Sequence, residues 1–436
     1  MLDILGGRYG TCDGASRRSF LRVGMLGAFG LALPDLLRAR AAAAARAKDT
    51  AVIQIFLGGG PTHIDTYDLK PNAPKEFRGE FKPIATNVPG IELCELFPQQ
   101  AKVADKLAVI RSLHHTTSDH NVGSHWVMTG FSSAPQAQRN ERPSAGSIVA
   151  RLRGANKPGI PSYVAVPNAP PFSQAAYLGP GYNPFGLNGN PVNDVKVRNL
   201  DLPGGLTLDR LDDRRYLLGK LDKINRQRDA SGAMEGMDRF TAEAYEMITG
   251  PNARKAFDLS QEDPKARDRY GRTQVGQGCL LARRLVEAGV SFVTVSEGNW
   301  DHHGQVFQNC RRQLPPLDTA IAALVTDLYE RGLADRVLLL VWGEFGRTPR
   351  VNGGSGRDHW PGSMSALVSG GGLKMGQVIG ATNSKAEYPT ERALRPEDML
   401  RTVYQVLDID PRHAFLNDSG RPMPVLNQGE PIRELV

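Results

Sequence analysis

The chain has 436 residues, with 53 Lys and Arg against 46 Asp and Glu, and its formal net charge is +7. Much of this excess lies in residues 1–47, which hold seven Arg and three Asp, so their removal lowers the net charge to +3. Such a weak residual charge argues against nucleic acid binding. After residue 47 no segment approaches the ~18 consecutive apolar residues of a membrane-spanning helix.

The N-terminus predicts export. Residues 16–22 contain the Arg17-Arg18 pair, and residues 23–37 form a moderately apolar stretch that Pro34 and Asp35 interrupt. This stretch is too short for a stable membrane anchor, and the small residues at 41–47 are typical of a cleavage site. We therefore predict a twin-arginine signal peptide at residues 1–47, export by the twin-arginine translocase, and a periplasmic or extracellular mature protein.

The mature chain, residues 48–436, alternates short apolar runs with amphipathic segments. Runs of strand length occur at residues 51–57, 107–110, 163–166, 290–295, 336–341 and, more weakly, 365–368. Helical patterns occupy residues 122–128, 274–288 and 316–331, and Gly130, Gly289 and Gly332 mark their ends. This alternation predicts an α/β protein with a mainly parallel sheet covered on both faces.

Two segments interrupt this alternation. Residues 168–203 are rich in Pro, Gly and Asn, which predicts a long loop, and residues 201–272 are charged and helical in pattern. We interpret residues 201–272 as a helical insertion that shapes access to the substrate. The cysteines Cys94, Cys279 and Cys310 form no C-x-x-C pair and do not indicate a disulfide framework.

Three clusters in the last third of the chain carry the side chains of a metal site. They supply oxygen and imidazole donors that suit a divalent cation such as Zn or Mn. Asp301 and Glu344 each follow a predicted strand, where open α/β sheets bind their ligands. Taken singly these are ordinary polar loop residues, but their grouping at several strand ends favours a site that performs metal-assisted hydrolysis. The clustered donors are Asp301, His302, His303, Glu344, Asp358 and His359.

Four motifs carry a family resemblance, and they span nearly the whole mature chain. They are residues 58–68 (GGGPTHIDTYD), 300–303 (WDHH), 343–349 (GEFGRTP) and 358–361 (DHWP). Behind a twin-arginine signal, they resemble the DUF1501 family of exported proteins. The order of the motifs is also similar to that of the alkaline phosphatase and sulfatase superfamily. That resemblance implies a three-layer α/β/α fold with a two-metal site that hydrolyses or transfers phosphate and sulfate esters.

The resemblance also assigns metal ligands. It implies that one ion is bound by Asp301, His359 and either His302 or His303. An Asp-His pair of the superfamily aligns with Glu344-Phe345, so that the carboxylate is kept and the imidazole is lost. The first metal Asp of the superfamily aligns with Thr62, and the substitutes nearby are His63 and Asp65.

A nucleophile position follows from the same resemblance. Counting back about ten residues from Thr129-Gly130 leads to His120, and Thr117 and Ser118 are nearby hydroxyl alternatives. A sulfatase instead needs Cys or Ser in a C/S-x-P-x-R motif, and residues 133–137 end in Ala137. Ordinary sulfatase activity is therefore disfavoured.

Three functional interpretations remain open. The first is a metal-dependent hydrolase of phosphate or sulfate esters, in which His120 is the nucleophile or base and Arg347 steadies the anion. The second is a phosphodiesterase-like variant that uses a metal-bound water. The third is a non-catalytic, metal-containing binding protein for anionic polysaccharide. Donors at several strand ends favour hydrolysis of an anionic small-molecule or polysaccharide ester.

Overall fold

The computed structural model describes residues 49–135, 137–187, 189–193 and 250–436, together with residues 210, 213 and 245–247. The predicted signal peptide and most of the predicted insertion up to residue 249 therefore lie outside the described residues. Among the helices of the described part, none is long and apolar enough to cross a membrane.

Strands in the described residues are short, and most of them have buried side chains. In chain order they are β1 (Ala51–Leu57), β2 (Pro83–Ala85), β3 (Glu92–Cys94), β4 (Ala108–Leu113), β5 (Tyr163–Val166), β6 (Phe185–Gly186), β7 (Phe292–Glu297), β8 (Val337–Trp342), β9 (Gly346–Arg347), β10 (His359–Trp360), β11 (Met364–Gly370), β12 (Gln377–Ile379), β13 (Ala381–Thr382), β14 (Pro389–Glu391), β15 (Ala414–Leu416) and β16 (Pro422–Pro424).

Two of the helices have clear sequence signals at their ends. Asp119 caps the helix that follows β4, Thr273 caps a later one, and Gly289 ends that later helix in the left-handed conformation. In the described residues the α-helices are α1 (Lys75–Arg78), α2 (Pro98–Ala101), α3 (His120–Thr129), α4 (Ala145–Leu152), α5 (Pro251–Phe257), α6 (Pro264–Arg269), α7 (Gln274–Ala288), α8 (Val306–Glu330) and α9 (Pro396–Val406).

An eight-stranded sheet forms the centre, in the order β12-β4-β11-β8-β1-β7-β5-β6. Strand β1 pairs in parallel with β7 and β8, β5 pairs in parallel with β7 and β6, and β4 pairs in parallel with β12. Strand β11 runs antiparallel to both of its neighbours, β4 and β8. The predicted mainly parallel sheet is confirmed.

The two faces of the sheet bury different side chains of the same strands. In β1, Ile53 and Ile55 pack in a core with residues of α7 and α8, whereas Val52 and Phe56 pack in a second core with residues of α3, α4 and α9. Alternation along a strand sends successive side chains to opposite faces, and each buried Ile or Phe contributes about 1.5–3 kcal/mol. The protein is therefore a three-layer α/β/α structure, as predicted.

Two elements differ from the sequence prediction. Helix α8 begins at Val306 rather than at 316, and it contains Pro315 and Pro316 in its interior. Proline is favoured in the first turn of a helix and disfavoured in its interior, so local rules do not predict this longer helix. Strand β6 lies inside the predicted loop 168–203, where pairing with β5 orders a dipeptide that has no strand pattern of its own.

One edge of the sheet collects the loops that carry the donor clusters. Strands β1, β4, β7 and β8 are parallel and end at this edge, and the antiparallel β11 begins there. The turns that follow the four parallel strands and the segment that precedes β11 consequently meet.

Candidate metal centre

The glycine turn after β1 holds the loops of this edge together. The amide of Gly59 donates to both carboxylate oxygens of Glu344, at 2.8 and 3.1 Å. Gly59 has a φ of +114°, and a Cβ atom there would lie 2.5 Å from the amide nitrogen of Asp301. Only glycine allows this approach, which brings the turns after β1, β7 and β8 together.

Asp301 lies at the centre of a compact group of donors. Its Oδ1 atom is 3.0 Å from Nε2 of His303 and 3.1 Å from Nε2 of His359. The two imidazole nitrogens are 2.9 Å from each other. Donors that bind one Zn ion at about 2.0–2.2 Å must converge in this way.

The Nδ1 atoms of His303 and His359 have hydrogen-bond partners on the side of each ring away from Asp301. Nδ1 of His303 lies 2.7 Å from Oδ1 of Asp358, and Nδ1 of His359 lies 2.7 Å from the carbonyl oxygen of Ser118. With Nδ1 donating to these acceptors, the Nε2 lone pair of each ring is directed at Asp301. This pairing of ligand histidines with carboxylates and carbonyls is typical of metal sites.

The protonation states also suit a cation. Burial lowers the pKa of His359 below its usual range, which favours the neutral imidazole that a metal requires. Burial alone would raise the pKa of Asp301, but the hydrogen bond and charge of Arg347 outweigh it and hold that pKa well below the usual value. The hydrogen bond from His303 lowers the pKa of Asp358.

Arg347 is buried and uses its guanidinium inside the protein. Nη2 donates to Oδ1 of Asp301 at 2.5 Å and to the carbonyl of Gly59. Nε donates to the carbonyl of Gly60 at 2.8 Å, and Nη1 donates to the carbonyl of Arg357 at 3.1 Å. These contacts position Asp301 and the β1 turn, and the role of Arg347 in steadying a substrate anion stays a prediction.

His120 begins α3 and faces the same centre from the other side. Its Nδ1 atom is 2.7 Å from Oε1 of Glu344, and its Nε2 atom is 3.4 Å from Oδ2 of Asp301. The ligand atoms of His120, Asp301 and His359 lie within 4.8 Å of one another, so these residues form a second set of three donors. The hydrogen bond to Glu344 raises the pKa of His120.

The aromatic ring of Phe345 packs against the imidazoles of His120 and His359. The ring of Phe345 is 5.0 Å from the ring of His120 and 4.7 Å from the ring of His359. Phe345 occupies the position where the resemblance had implied that an imidazole is lost. Its ring is fully buried, so these imidazoles contact an apolar surface on that side.

The predicted hydroxyls lie on the loop before α3. Ser118 is exposed and contacts the centre through its carbonyl oxygen, which accepts from His359. The hydroxyl oxygen of Thr117 accepts a hydrogen bond from the amide of Asp119 at 3.2 Å. The Thr117 hydroxyl therefore contributes to the turn that caps α3.

Three predicted ligands have partners elsewhere. Asp65 is buried and accepts from Nε of Arg357 at 2.7 Å and from its Nη2 at 3.1 Å. Nε2 of His63 lies 2.8 Å from the carbonyl of Ala386, and burial lowers the pKa of this histidine. His302 is buried with its ring 6.0 Å from that of Trp300. Between the two histidines of the 302/303 pair, the structure brings His303 to Asp301.

Sequence reasoning missed Arg357 and the role of two carboxylates. Nothing in the local sequence marked Arg357 as the partner of Asp65, which is 292 positions away. Asp358 adjoins His359 in the sequence, but its carboxylate anchors His303. Glu344, expected as a ligand, contacts His120 and the Gly59 amide.

The fold and the donor set define a three-layer α/β/α protein with a candidate centre of imidazole and carboxylate groups at the strand ends. The sequence profile of the family described as "Protein of unknown function (DUF1501)" matches residues 49–436, and the chain belongs to this family. No curated protein matches the chain.

Solved structures resemble the chain only distantly. Ps i-CgsB in complex with k-i-k-neocarrahexaose has 11% identity and a TM-score of 0.39, covering 83% of this chain and 72% of that chain. The lipoteichoic acid synthase LtaP from Listeria monocytogenes has 10% identity and a TM-score of 0.37, covering 87% and 75%. The PsFucS1 sulfatase from Pseudoalteromonas sp. has 13% identity and a TM-score of 0.36, covering 83% and 68%.

Proposed function

We propose that the protein is a metal-dependent hydrolase of phosphate or sulfate esters, and that Asp301, His303 and His359 hold its cation. The observation that carries the proposal is the convergence of these three donors, with every distance between them at 2.9–3.1 Å. Asp358 and the Ser118 carbonyl hold the Nδ1 atoms of His303 and His359 and so fix the orientation of both rings. Such orienting contacts are typical of metal ligands and are not expected in a chance cluster of polar side chains.

The donor set suits Zn or Mn, since both accept imidazole and carboxylate ligands. When bound, the cation would supply Lewis-acid stabilisation of the charge on the transferred group. Arg347 keeps Asp301 ionised and in place. In the first turn of α3, Asp119 accepts from the amide of Val122, and the remaining N–H groups of that turn have no acceptor within the helix; groups of this kind bind phosphate and sulfate oxygens.

The substrate class follows from the motif order that resembles the alkaline phosphatase and sulfatase superfamily. The superfamily uses two ions, whereas Phe345 replaces an imidazole of the second ion here. We infer a centre with one cation, and we infer that side chains perform the work of the second. The Ser133–Ala137 segment lacks the arginine of a sulfatase motif, so phosphate esters are the first substrates to test.

We also propose that the enzyme is exported by the twin-arginine route and acts on an anionic ester, either a small molecule or a polysaccharide. The basis is the sequence of residues 1–47. Twin-arginine export is the route of proteins that fold and load cofactors before they cross the membrane, which suits a metal enzyme.

The test combines metal analysis with a substrate screen. Protein purified after export would be analysed for bound Zn and Mn and assayed with an aryl phosphate, a bis-aryl phosphodiester and an aryl sulfate. We expect stoichiometric metal and hydrolysis of one ester class, both lost in His359→Ala. A matched control is His413→Ala, because His413 is an exposed histidine near the C-terminus.

The screen separates the interpretations. Hydrolysis of the phosphodiester alone would select the phosphodiesterase-like variant. A protein that holds metal and retains an anionic polysaccharide without forming product would overturn the hydrolase proposal in favour of a binding protein. Activity that persists in His359→Ala would show that the assigned centre is wrong.

A further inference from the structure

Glu344 and His120 form a dyad that the metal ligands do not explain. Glu344 is nearly inaccessible, with 2% of its side chain exposed, whereas 37% of the His120 side chain is exposed. Two contacts from the Gly59 amide and one from Nδ1 of His120 fix the carboxylate. A shielded carboxylate thus orients an accessible imidazole, as in sites where one group positions a reacting group.

Position in the fold makes the orientation rigid. His120 is the first residue of α3, and Asp119 caps that helix by accepting from the amide of Val122 at 2.9 Å. Gly123, one turn further along, packs so closely that a Cβ atom there would lie 3.3 Å from the carbonyl oxygen of Glu344. Helix α3 and the turn after β8 are therefore in direct contact, and the ring of His120 lies 5.0 Å from that of Phe345 at an interplanar angle of 37°.

We propose that His120 is the covalent nucleophile of this centre and that Glu344 is its positioning residue; the inference rests on the ester hydrolysis proposed above. Nδ1 is engaged by Glu344, so the nitrogen with a lone pair is Nε2. Nε2 lies 3.4 Å from Oδ2 of Asp301, whereas His303 and His359 contact Oδ1 of the same carboxylate. It therefore borders the cation site without being needed to complete it.

The chemistry balances with groups that the site holds. The Nε2 lone pair forms a bond to the phosphorus or sulfur of the ester, and the bond to the leaving oxygen breaks. That oxygen keeps the electron pair and takes a proton from water. The imidazolium so formed carries its proton on Nδ1, where the carboxylate of Glu344 neutralises the charge. Water then attacks phosphorus or sulfur, the electron pair returns to Nε2, and the water proton passes to solvent.

The other histidines of this region do not share these features. Nε2 of His115 lies 2.5 Å from the carbonyl of Glu344, and the residue is buried. His125 is also buried, and its Nδ1 atom lies 2.8 Å from the carbonyl of Phe131. His114, half-buried in the same loop, provides a matched control.

The experiment is chemical rescue of a truncated side chain. In His120→Gly, the space of the ring is open to exogenous imidazole. We expect full metal content, a loss of roughly 10²–10⁴-fold in turnover of an aryl phosphate or aryl sulfate, and partial recovery with imidazole. His114→Gly should keep wild-type turnover and gain nothing from imidazole.

A second measurement detects the intermediate itself. Wild-type protein mixed with excess aryl ester and quenched in base should carry a phosphoryl or sulfuryl group on the peptide that contains His120, as mass spectrometry would show. Glu344→Gln preserves an acceptor for Nδ1 but not the negative charge. It should keep its metal and form the adduct roughly 100-fold more slowly, which is the lower limit of typical acid–base effects.

The outcomes separate this inference from the proposed function. Hydrolysis by the wild type with neither adduct nor imidazole rescue would overturn the nucleophile and leave the hydrolase proposal standing. Metal loss in His120→Gly would make His120 a ligand and overturn its role as nucleophile. Metal loss in Glu344→Gln would likewise make Glu344 a ligand and overturn its role as the positioning residue. A metal-loaded wild type that hydrolyses none of the esters would overturn both proposals.

Discussion

Two groups of side chains at the same edge of the sheet contain the same residue types, but their carboxylates differ in solvent exposure and in partners. The group around Asp65 contains a carboxylate and the imidazole of His63, and the centre around Asp301 contains a carboxylate and several imidazoles. Asp65 is 1% exposed and receives a bidentate contact from Arg357, whereas 42% of the Asp301 side chain is exposed. A guanidinium from the protein already satisfies the first carboxylate.

The difference teaches what makes a strand-end carboxylate a ligand. A metal at Asp65 would have to displace a fully buried Arg357, which would leave its charge unpaired in the interior. Around Asp301 the imidazoles direct their Nε2 lone pairs at one point, and the side chain remains accessible to solvent. The residue types are alike, but only the second group leaves room for an external cation.

The largest expected effect concerns the group around Asp65. Asp65→Ala should lower the free energy of unfolding by about 3–5 kcal/mol, because it leaves the buried Arg357 without a partner. Urea denaturation measures this change, and Asp418→Ala, at an exposed aspartate, should change it by less than about 0.5 kcal/mol. Folded Asp65→Ala protein should keep its metal. Loss of metal at unchanged stability would instead make Asp65 a ligand.

The next largest effect concerns the centre around Asp301. His359→Ala removes one of three converging donors, so metal affinity should fall by more than ~100-fold, beyond the range for residues that only orient a ligand. The melting temperature should drop to that of the metal-free wild type, since the bound ion stabilises only the folded state. Competition with a chelator gives the affinity. An unchanged metal affinity would remove His359 from the centre.

A smaller effect sharpens the role of the anchoring carboxylate. Asp358→Ala frees the Nδ1 atom of His303, so metal affinity should fall by roughly 10–100-fold while the stability of the metal-free protein stays unchanged. Asp358→Asn retains an acceptor and should recover part of the affinity. If both variants bind metal as tightly as the wild type, the contact between Asp358 and His303 has no role in binding.

The smallest effect concerns the half-buried carboxyl of Glu297, for which no ion pair is found among the described residues. Glu297 ends β7, and within the described part of the chain its Oε2 atom has no hydrogen-bond partner. Burial raises the pKa of Glu297 from 4.5 to about 7. The folded state therefore binds the proton more tightly than the unfolded state.

This shift has a defined sign. Stability should be greatest below about pH 4.5 as far as Glu297 is concerned, decline as the pH rises to about 7, and then remain constant. Glu297→Gln should flatten that decline, by about 1–2 kcal/mol after allowance for residual solvent contact. Unfolding curves at pH 5 and pH 8 measure the difference. An identical slope in the variant would contradict the assignment to this carboxyl.

Much of the fold was predictable because its signals are local. The run at Ala51–Leu57 is apolar on both faces, and β1 has these bounds in the structure. The pattern at Gln274–Ala288 has a threonine cap and a glycine end, and α7 has these bounds. Helix α8 was misjudged at its start, because packing against the sheet holds Pro315 and Pro316 inside a helix that local rules would end there.

The site was predictable in composition but only partly in geometry. Parallel strands that end at one edge bring Asp301 and Glu344 together, and this follows from the strand pattern. His359 precedes β11, and in a parallel strand it would lie at the opposite edge of the sheet. Because β11 is antiparallel, its start adjoins the ends of β4 and β8 and carries His359 to the centre.

By itself, the sequence determined the layers, the strands and the supply of donors at strand ends, because hydrophobic periodicity and glycine turns act over a few residues. Tertiary structure decided which donors meet. The contact between His120 and Glu344 spans 224 positions, and that between Arg357 and Asp65 spans 292. Whether a carboxylate receives a guanidinium or faces an open centre depends on such distant partners, and no local pattern encodes them.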